Sequence, residues 1–349
     1  MRNGSRFAVV VRKEEAEEVK KKLLELKALD EGRRIIRRGN FVEFPVKWAV
    51  DGYKIVEQKR IVKRKIFPPF EEIKRRLYGK VCKDDFQKLP RKWEKFGDVL
   101  VLKMEGIKEK EKIAEVYASV LKCKSVLEDI GGIEGIERKP NFKFIFGNDS
   151  ETIHVENGIK YKFDVARIMF SSGNIDERIR MARVVKKNDI VIDMFAGIGY
   201  FTLPMAYHGK AKVYAIELNP LAFKYLKENI KLNKLEERVF PILGDCREKI
   251  PHGVANRIVM GYLNSIPFFK YALKGLKGKG IIHFHQKCRE EEFPHAVFNE
   301  VNEIALQEGY EAEAIFHKKI KSYAPHIIHG VIDIKVKKMN KNRGNNETK

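Results

Sequence analysis

The chain has 349 residues, 44% hydrophobic and 34% charged, which excludes a wholly disordered protein and allows two or three domains. No apolar run approaches the roughly 20 residues that span a bilayer, and no signal-like apolar core follows Met1–Arg6. The four cysteines are scattered without a Cys-x-x-Cys pair. We therefore expect reduced thiols in a cytoplasmic protein with no metal site and no membrane association.

The net charge of +22 predicts attraction to polyanions. Between Lys59 and Lys92, 13 Lys or Arg residues stand against 4 Asp or Glu residues. A Lys/Glu-rich surface of the thermophile type is the alternative, but such surfaces usually balance their signs. We favour a nucleic-acid-binding surface over a solubilising charge.

The chain begins with a predicted small basic α/β unit at residues 1–66, expected to contact nucleic acid. Its expected elements are a strand at 7–11, a helix at 13–29 with apolar positions Val19, Leu23, Leu24 and Leu26, and a strand at 41–46. Two prolines within Phe67–Phe70 predict the start of a linker at 67–94, which carries a basic helix at 71–78.

An α+β unit is predicted next, at residues 95–165. Its expected elements are a strand at 99–102, a helix at 110–121 and strands at 142–145, 152–155 and 160–165. Asn157-Gly158 is the hairpin turn signal between the last two strands.

Strands and helices alternate at residues 166–336, which predicts a parallel, doubly wound α/β sheet covered on both faces. The expected strands lie at 190–193, 213–217, 239–243, 255–260 and 281–284, and the expected helices at 200–207, 220–232 and 268–276. A last strand at 330–336 is expected to close the sheet, and the tail at 337–349 is expected to be disordered.

A carboxylate and two glycines follow the first strand of this sheet, in Asp193–Gly199. Glycine lets the backbone approach a ligand closely because it has no Cβ. Acidic residues also end the next two strands, at Glu217 and Asp245. This layout predicts a nucleoside site in which Glu217 accepts from ribose hydroxyls and Asp245 from an adenine amino group.

Two other interpretations compete for this turn: a tight strand-to-helix connection without a ligand, and a nicotinamide dehydrogenase. The third glycine of Gly-x-Gly-x-x-Gly is missing, since Thr202 stands in its place, which weakens a pyrophosphate site. The three spaced carboxylates favour a cofactor without phosphates, and we predict S-adenosylmethionine.

Four segments occur in the order of a known family: Asp193–Gly199, Ala215–Pro220, Glu228–Lys234 and Gly244–Arg247. They resemble the catalytic domain shared by tRNA guanine-N1 methyltransferases acting 3′ to the anticodon and the tRNA wybutosine-synthesizing protein 2 family of aminocarboxypropyl transferases. The resemblance covers about residues 95–336 and, more weakly, the N-terminal unit. It implies a class I S-adenosylmethionine-dependent, Rossmann-like fold with smaller α+β domains before it.

The segment after the fourth strand separates these relatives. The methyltransferases carry Asn-Pro-Pro-Tyr or Asn-Leu-Pro there, whereas this chain has Met260–Asn264 in the order Met-Gly-Tyr-Leu-Asn. That segment, with Phe170–Arg178 and Ile281–His285, is similar to the aminocarboxypropyl transferases. The resemblance therefore implies transfer of the 3-amino-3-carboxypropyl group to the 4-demethylwyosine-type base at guanosine-37 of tRNA(Phe).

The resemblance also implies site residues, with Arg178 holding the methionine carboxylate as a charge-assisted pair. The expected cofactor-binding residues are Ser171, Arg178, Asp193, Phe195, Gly197, Gly199, Glu217, Leu218, Asp245, Cys246, Met260, Gly261 and Tyr262. The residues expected to bind the anticodon stem and loop of tRNA, in a monomeric enzyme, are Lys63, Arg64, Lys65, Arg75 and Arg76.

Alternatives stay open for the function and for single residues. The function is alternatively a guanine-N1 methyltransferase that tolerates a Gly-Tyr element, or a catalytically idle tRNA-binding protein, which the intact acid set argues against. For Arg178 the alternative is a solvated basic helix face shared with Arg180 and Arg183. We expect His283 and His285 on opposite faces of their strand in structural roles, and we assign no general base.

Overall fold

The computed structural model describes residues 6–58, 61–62, 68–134 and 139–339. Lys63, Arg64 and Lys65, which are expected to bind tRNA, lie outside the described residues, and so does the expected disordered tail beyond Met339. Lys337 and Lys338, which were assigned to that tail, instead belong to the last strand.

The described residues form two compact units. The first comprises the described parts of Met1–Gly131, Asn141–Ser150 and Val155–Gly158, and the second those of Gly132–Pro140, Glu151–His154 and Ile159–Lys349. The finer division predicted at residues 66, 94 and 165 stays a prediction.

The first unit opens with a four-stranded antiparallel sheet in the order β2-β3-β1-β4. Its elements are β1 Phe7–Arg12, α1 Ala16–Glu25, β2 Ile36–Arg38, β3 Phe41–Pro45 and β4 Lys54–Glu57. The helix predicted to reach residue 29 was too long, because Lys27 adopts a left-handed φ of 55° and stops it. Val19 and Leu23 are buried against the sheet, whereas Leu24 and Leu26 are exposed.

A second four-stranded sheet follows along the chain, with its strands in the order β5-β6-β7-β8. The elements of this part are α2 Pro69–Leu77, α3 Lys83–Gln87, β5 Glu94–Phe96, β6 Val99–Leu102, α4 Lys110–Leu121, β7 Ser125–Glu134 and β8 Lys139–Phe146. Ile73 and Leu77 of α2 are buried in one core with Leu100 and Tyr117. The basic helix assigned to a linker is therefore part of a packed core.

The second unit carries the predicted doubly wound sheet, here with seven strands in the order β13-β12-β11-β14-β15-β17-β16. Its elements follow a hairpin of β9 Glu151–Glu156 and β10 Ile159–Asp164. They are α5 Ile175–Val184, β11 Ile190–Asp193, α6 Thr202–Tyr207, β12 Lys212–Glu217, α7 Pro220–Leu232, β13 Val239–Leu243, α8 Cys246–Lys249, β14 Ala255–Met260, α9 Phe269–Gly275, β15 Leu276–Arg289, α10 His295–Gln307, β16 Tyr310–Ala324 and β17 Ile327–Lys338.

The order of the strands positions the site. Strands β11 to β15 are parallel, and the chain changes direction across the sheet between β11 and β14, where such folds bind ligands at the carboxyl ends of the strands. The last strand does not close the sheet as predicted, because β17 is antiparallel between β15 and the edge strand β16. Within the described ranges, no helix combines the length and apolarity needed to cross a membrane.

A buried charge network joins α5 to β17. The Arg180 guanidinium donates to Asp333 Oδ2 at 2.7 Å and to Glu177 Oε1 at 2.7 Å. His283 Nδ1 lies 2.7 Å from Asp333 Oδ1. Burial opposes ionisation of Asp333, but His283 and Arg180 outweigh it and hold the pKa of that carboxyl well below its ordinary value.

His283 and His285 occupy the same face of β15, so the expectation of opposite faces was wrong. Residues two apart on a strand share a face, and both imidazoles are fully buried on the side of this network. His285 Nδ1 lies 2.9 Å from His329 Nε2, and its Nε2 lies 3.8 Å from Glu177. Burial lowers the pKa of both histidines, which favours neutral, structural imidazoles.

Arg180→Ala should lower the free energy of unfolding of the second unit by about 3–5 kcal/mol, because it leaves two buried carboxylates without their shared cation. The matched control is Lys335→Ala, which breaks an exposed pair with Glu313 and should cost under about 0.5 kcal/mol. Denaturant unfolding should be followed by far-ultraviolet circular dichroism, since both tryptophans, Trp48 and Trp93, lie in the first unit. Equal small losses in the two variants would contradict the network's role.

Candidate active site

The turn after β11 is held by a buried carboxylate. Asp193 is fully buried, and its Oδ2 accepts from Thr202 Oγ1 at 2.7 Å. Burial raises the pKa of Asp193 to about 6, against the opposing effect of the Thr202 hydrogen bond. Asp193 therefore does not present an exposed carboxylate at the sheet edge; it ties the strand to the first turn of α6.

Two glycines shape the same turn. Gly197 has a φ of +56°, and a Cβ there would lie 2.4 Å from the Tyr200 ring. Gly199 has a φ of +103°, and a Cβ there would lie 2.6 Å from Leu203. Both positions require glycine for conformation and for space, as expected for a backbone that passes close to a ligand.

Glu217 stands at the end of β12, directly beside this turn. Its Oε2 accepts from the Gly197 N–H at 2.6 Å, and its Oε1 accepts from the Asn219 N–H at 2.7 Å. Two backbone donors thus fix the orientation of the carboxylate. Leu218, the next residue, is 56% exposed and offers an apolar surface at the same edge.

Asp245 and Cys246 follow β13 at the start of α8. The Asp245 carboxylate accepts from the Arg247 backbone N–H at 2.8 Å and from Arg247 Nε at 3.0 Å, which lowers its pKa. An adenine amino group would share or displace this pairing. Burial raises the pKa of Cys246 to about 12, so the thiol stays protonated and the backbone N–H is the useful group.

The end of β14 contributes shape rather than charge. The Met260 side chain is fully buried in the core, so only its main chain can reach a ligand. A Cβ at Gly261 would lie 2.8 Å from the Phe201 ring. Tyr262 packs against Phe195, with ring centroids 5.2 Å apart, and forms an aromatic wall beside the turn.

Ser171 lies just before α5, and Arg178 lies within it. Arg178 is only 2% exposed, and its guanidinium lies 4.9 Å from the Phe170 ring centroid. Its Nη1 donates to the Ser171 carbonyl at 3.0 Å. The alternative of a solvated basic helix face is therefore wrong. Tyr200 OH donates to the Met169 carbonyl, which joins this segment to the glycine turn.

Asn229 on α7 was not predicted as a site residue. It is fully buried, its Oδ1 accepts from Lys162 N at 2.6 Å, and its Nδ2 donates to the carbonyls of Lys162 and Ile198, each at 3.1 Å. The asparagine therefore holds the glycine turn against strand β10. Its signal in the sequence was the polar residue at a buried helical position of Glu228–Lys234.

Arg75 and Arg76, expected to bind tRNA, lie exposed on α2. Both guanidinium groups pair with Glu72, at 2.8 and 2.7 Å, and Arg76 also donates to Ser119 Oγ at 3.0 Å. These hydrogen bonds lower the pKa of Glu72 to about 2. Both arginines are available at the surface of the first unit.

Among the described residues, Cys82, Asp85 and Glu109 form the one group with metal-ligand spacing. Their polar atoms are engaged by the protein: Asp85 accepts from the N–H groups of Lys108 and Glu109, and Glu109 accepts from Cys82 N at 2.8 Å. This arrangement joins two helix starts. The expected absence of a metal stays a prediction.

Asp193→Asn should change the pH dependence of stability. Because the folded pKa of about 6 lies above the ordinary aspartate value of 3.8, the stability contribution of Asp193 is fully present below about pH 4 and is lost as pH rises through 6. The variant should therefore gain up to about 3 kcal/mol relative to the wild type between pH 4 and pH 7.

The control for this measurement is Asp189→Asn. Burial raises the pKa of Asp189, but hydrogen bonds from the Lys186 N–H and the Arg257 side chain outweigh it and lower that pKa, so its stability contribution is fully present above about pH 4 and is lost only at lower pH. The stability of Asp189→Asn relative to the wild type should therefore stay constant between pH 4 and pH 7. A stability difference for Asp193→Asn that does not change with pH would show that its carboxylate is not held in a buried, ionisation-resistant state.

Three family models match the chain. The TRM5/TYW2 methyltransferase domain matches residues 152–313, the TYW2 N-terminal domain residues 73–150, and the tRNA methyltransferase 5 N-terminal domain residues 8–54. The first match spans the sheet edge at which the site residues meet.

Individual relatives agree with these matches. The tRNA(Phe) (4-demethylwyosine(37)-C(7)) aminocarboxypropyltransferase of Pyrococcus horikoshii is 46% identical over 266 residues, covering 75% of this chain and 95% of that protein. The tRNA (guanine(37)-N(1))-methyltransferase Trm5b of Pyrococcus abyssi is 34% identical over 343 residues, covering 95% and 99%. The crystal structure of P. horikoshii TYW2 in complex with MeSAdo has a TM-score of 0.69 at 42% identity, covering 76% of this chain and 98% of that chain. The chain belongs to the TRM5/TYW2 family of class I, Rossmann-like transferases.

Proposed function

We propose that this chain transfers the 3-amino-3-carboxypropyl group of S-adenosylmethionine to carbon 7 of the 4-demethylwyosine-type base at position 37 of tRNA(Phe). The observation that carries the proposal is the end of β14, where Met260 is buried and Gly261 has no side chain. The Asn-Pro element that would orient a base nitrogen for methyl transfer is missing there. The higher identity to the aminocarboxypropyltransferase, 46% against 34%, supports the same choice.

The residues at the sheet edge fit this donor. Glu217 offers two carboxylate oxygens, already oriented by backbone N–H groups, to a ribose diol. The buried guanidinium of Arg178 is suited to pair with the carboxylate of a methionine arm. Gly197 and Gly199 keep the turn free of side chains. The buried Asp193 supports the site from behind.

When bound, S-adenosylmethionine supplies three carbons on a cationic sulfur, each open to displacement by a nucleophile. The chain contributes position: Arg178 and Ser171 hold the carboxylate end, and Glu217 holds the ribose end. The space beside these residues is bounded by the rings of Phe195, Tyr262 and Phe268. The centroid of the Phe195 ring lies 5.2 Å from that of Tyr262 and 5.1 Å from that of Phe268. None of these residues is assigned as a general base.

The acceptor in this proposal is a tRNA held by basic residues of a monomeric, cytoplasmic enzyme. The charge of +22 attracts the phosphate backbone from a distance. Arg75 and Arg76 contact the anticodon stem and loop, and a phosphate there competes with Glu72 for their guanidinium groups. Lys63, Arg64 and Lys65 extend the same basic stretch of sequence.

A guanine-N1 methyltransferase is the second candidate, and a specific observation favours it. The methyltransferase relative covers 95% of this chain, and residues 8–54 match a domain model named after tRNA methyltransferase 5. That domain lies outside the transferase fold, so it does not choose which carbon is transferred. The two candidate reactions are therefore distinguished by the group that they add to the tRNA.

The product separates them directly. The enzyme should be incubated with tRNA(Phe) carrying the 4-demethylwyosine base and with either carboxyl-labelled or methyl-labelled S-adenosylmethionine. We expect carboxyl label in the tRNA and none from the methyl group, with methylthioadenosine released. Methyl label in an unmodified guanosine-37 transcript would instead establish the methyltransferase.

Glu217→Ala should weaken S-adenosylmethionine binding by about 1–3 kcal/mol, measured by calorimetry, because hydrogen bonds to the ribose hydroxyls are lost. Glu217→Gln keeps the side-chain shape and should lose less. Glu313→Ala, at an exposed glutamate on β16, is the control and should bind normally. Unchanged affinity in Glu217→Ala would mean that Glu217 does not bind the ribose hydroxyls.

A further inference from the structure

The hairpin of β16 and β17 brings a lysine to the cofactor-binding segment. Lys321 Nζ donates to Ser171 Oγ at 2.6 Å. The two residues are 150 positions apart in sequence, and both are partly buried. The expected site did not include this lysine, because nothing in the sequence of an edge strand with several lysines distinguishes one from the next.

A second observation supports a directed role for this side chain. Strand β16 carries a register irregularity between Lys319 and Lys321, where Lys319 pairs with Gly330 and Lys321 with His329. Such bulges re-aim side chains and are frequent beside active sites. Lys321 also lies near Gly173, since a Cβ added to Gly173 would be 3.5 Å from the Cδ of Lys321.

Ser171 is thereby placed between two cations. Its carbonyl accepts from Arg178 Nη1 at 3.0 Å, and its hydroxyl accepts from Lys321 Nζ at 2.6 Å. A serine needs neither charge for its own stability, since both of its oxygens are neutral acceptors. Two positive charges converging on one neutral residue are suited to an anion that arrives beside it.

We propose that Lys321 is a second cation of the methionine-arm subsite, acting with Arg178 on the carboxylate of the donor. This inference rests on the proposed placement of the donor at Ser171 and Arg178. Two cations restrain a carboxylate in direction as well as in distance, so the arm is held in one orientation. By fixing the arm, Lys321 helps to determine which of the carbons bonded to the sulfonium faces the base.

The test compares two ligands of the intact enzyme by calorimetry. S-adenosylmethionine has the amino-acid arm, whereas methylthioadenosine lacks it. Lys321→Ala should weaken S-adenosylmethionine binding about tenfold or more, as expected for a lost hydrogen bond to a charged group. Methylthioadenosine affinity should not change, and Lys321→Arg, which keeps the charge, should recover most of the loss.

The matched control is Lys319→Ala on the same strand, whose Nζ pairs with Glu290 at 2.6 Å and which should bind both ligands normally. Equal losses for the two ligands would overturn the proposal by showing that Lys321 only supports the structure, and so would unchanged affinity for both. A methyl-labelled tRNA product with the selective loss still present would reject the proposed reaction, but it would leave standing the assignment of Lys321 as a cation that binds the donor carboxylate.

Discussion

The hydrogen bond from Gly197 N–H to the Glu217 carboxylate is the constraint on which the site depends. It joins the turn after β11 to the end of β12, where Gly197 has a left-handed φ of +56°, a conformation that glycine adopts without steric cost. Asp193 holds the turn from below, Asn229 holds it through the Ile198 carbonyl, and Tyr200 connects it to the Met169 carbonyl. Each of these neighbouring elements is thus held in position by its hydrogen bond to one short loop.

The central part of the fold was predictable because local signals bracket it. Strands β11, β13 and β14 and helix α7 were predicted with the ends that the structure shows. Helix α7, for example, begins after Asn219, whose side chain accepts from Leu221 N at 2.8 Å, and has proline at its first position. Where caps, prolines and continuous apolar runs coincide, sequence patterns locate elements well.

Elements that depend on distant partners were missed. Strand β16 is an exposed edge strand with many lysines, so it lacks the apolar alternation that marks a strand, and it forms only through pairing with β17. Strand β7 carries polar residues and a Gly-Gly pair, and α10 starts after a proline without a side-chain cap. Their stability comes from tertiary pairing, which no local pattern encodes.

The candidate site was predicted by residue type and position, but not by the state of each group. The sequence placed Asp193, Glu217 and Asp245 at one edge, yet the structure buries the first and pairs the third with Arg247. Glu217, by contrast, accepts hydrogen bonds from the backbone N–H groups of Gly197 and Asn219. Burial and pairing are set by neighbours in the folded chain, such as Thr202 for Asp193, and they decide which acid meets a ligand.

The distribution of the thiols has a consequence for the chemical reactivity of this protein. Burial raises the pKa of Cys123, of Cys288 to about 11 and of Cys246 to about 12, so these sulfurs rarely form the nucleophilic thiolate. Cys82 is the exposed thiol. Alkylating reagents should therefore modify Cys82 in the first unit well before they modify Cys246, whose sulfur is buried in the core of the second unit.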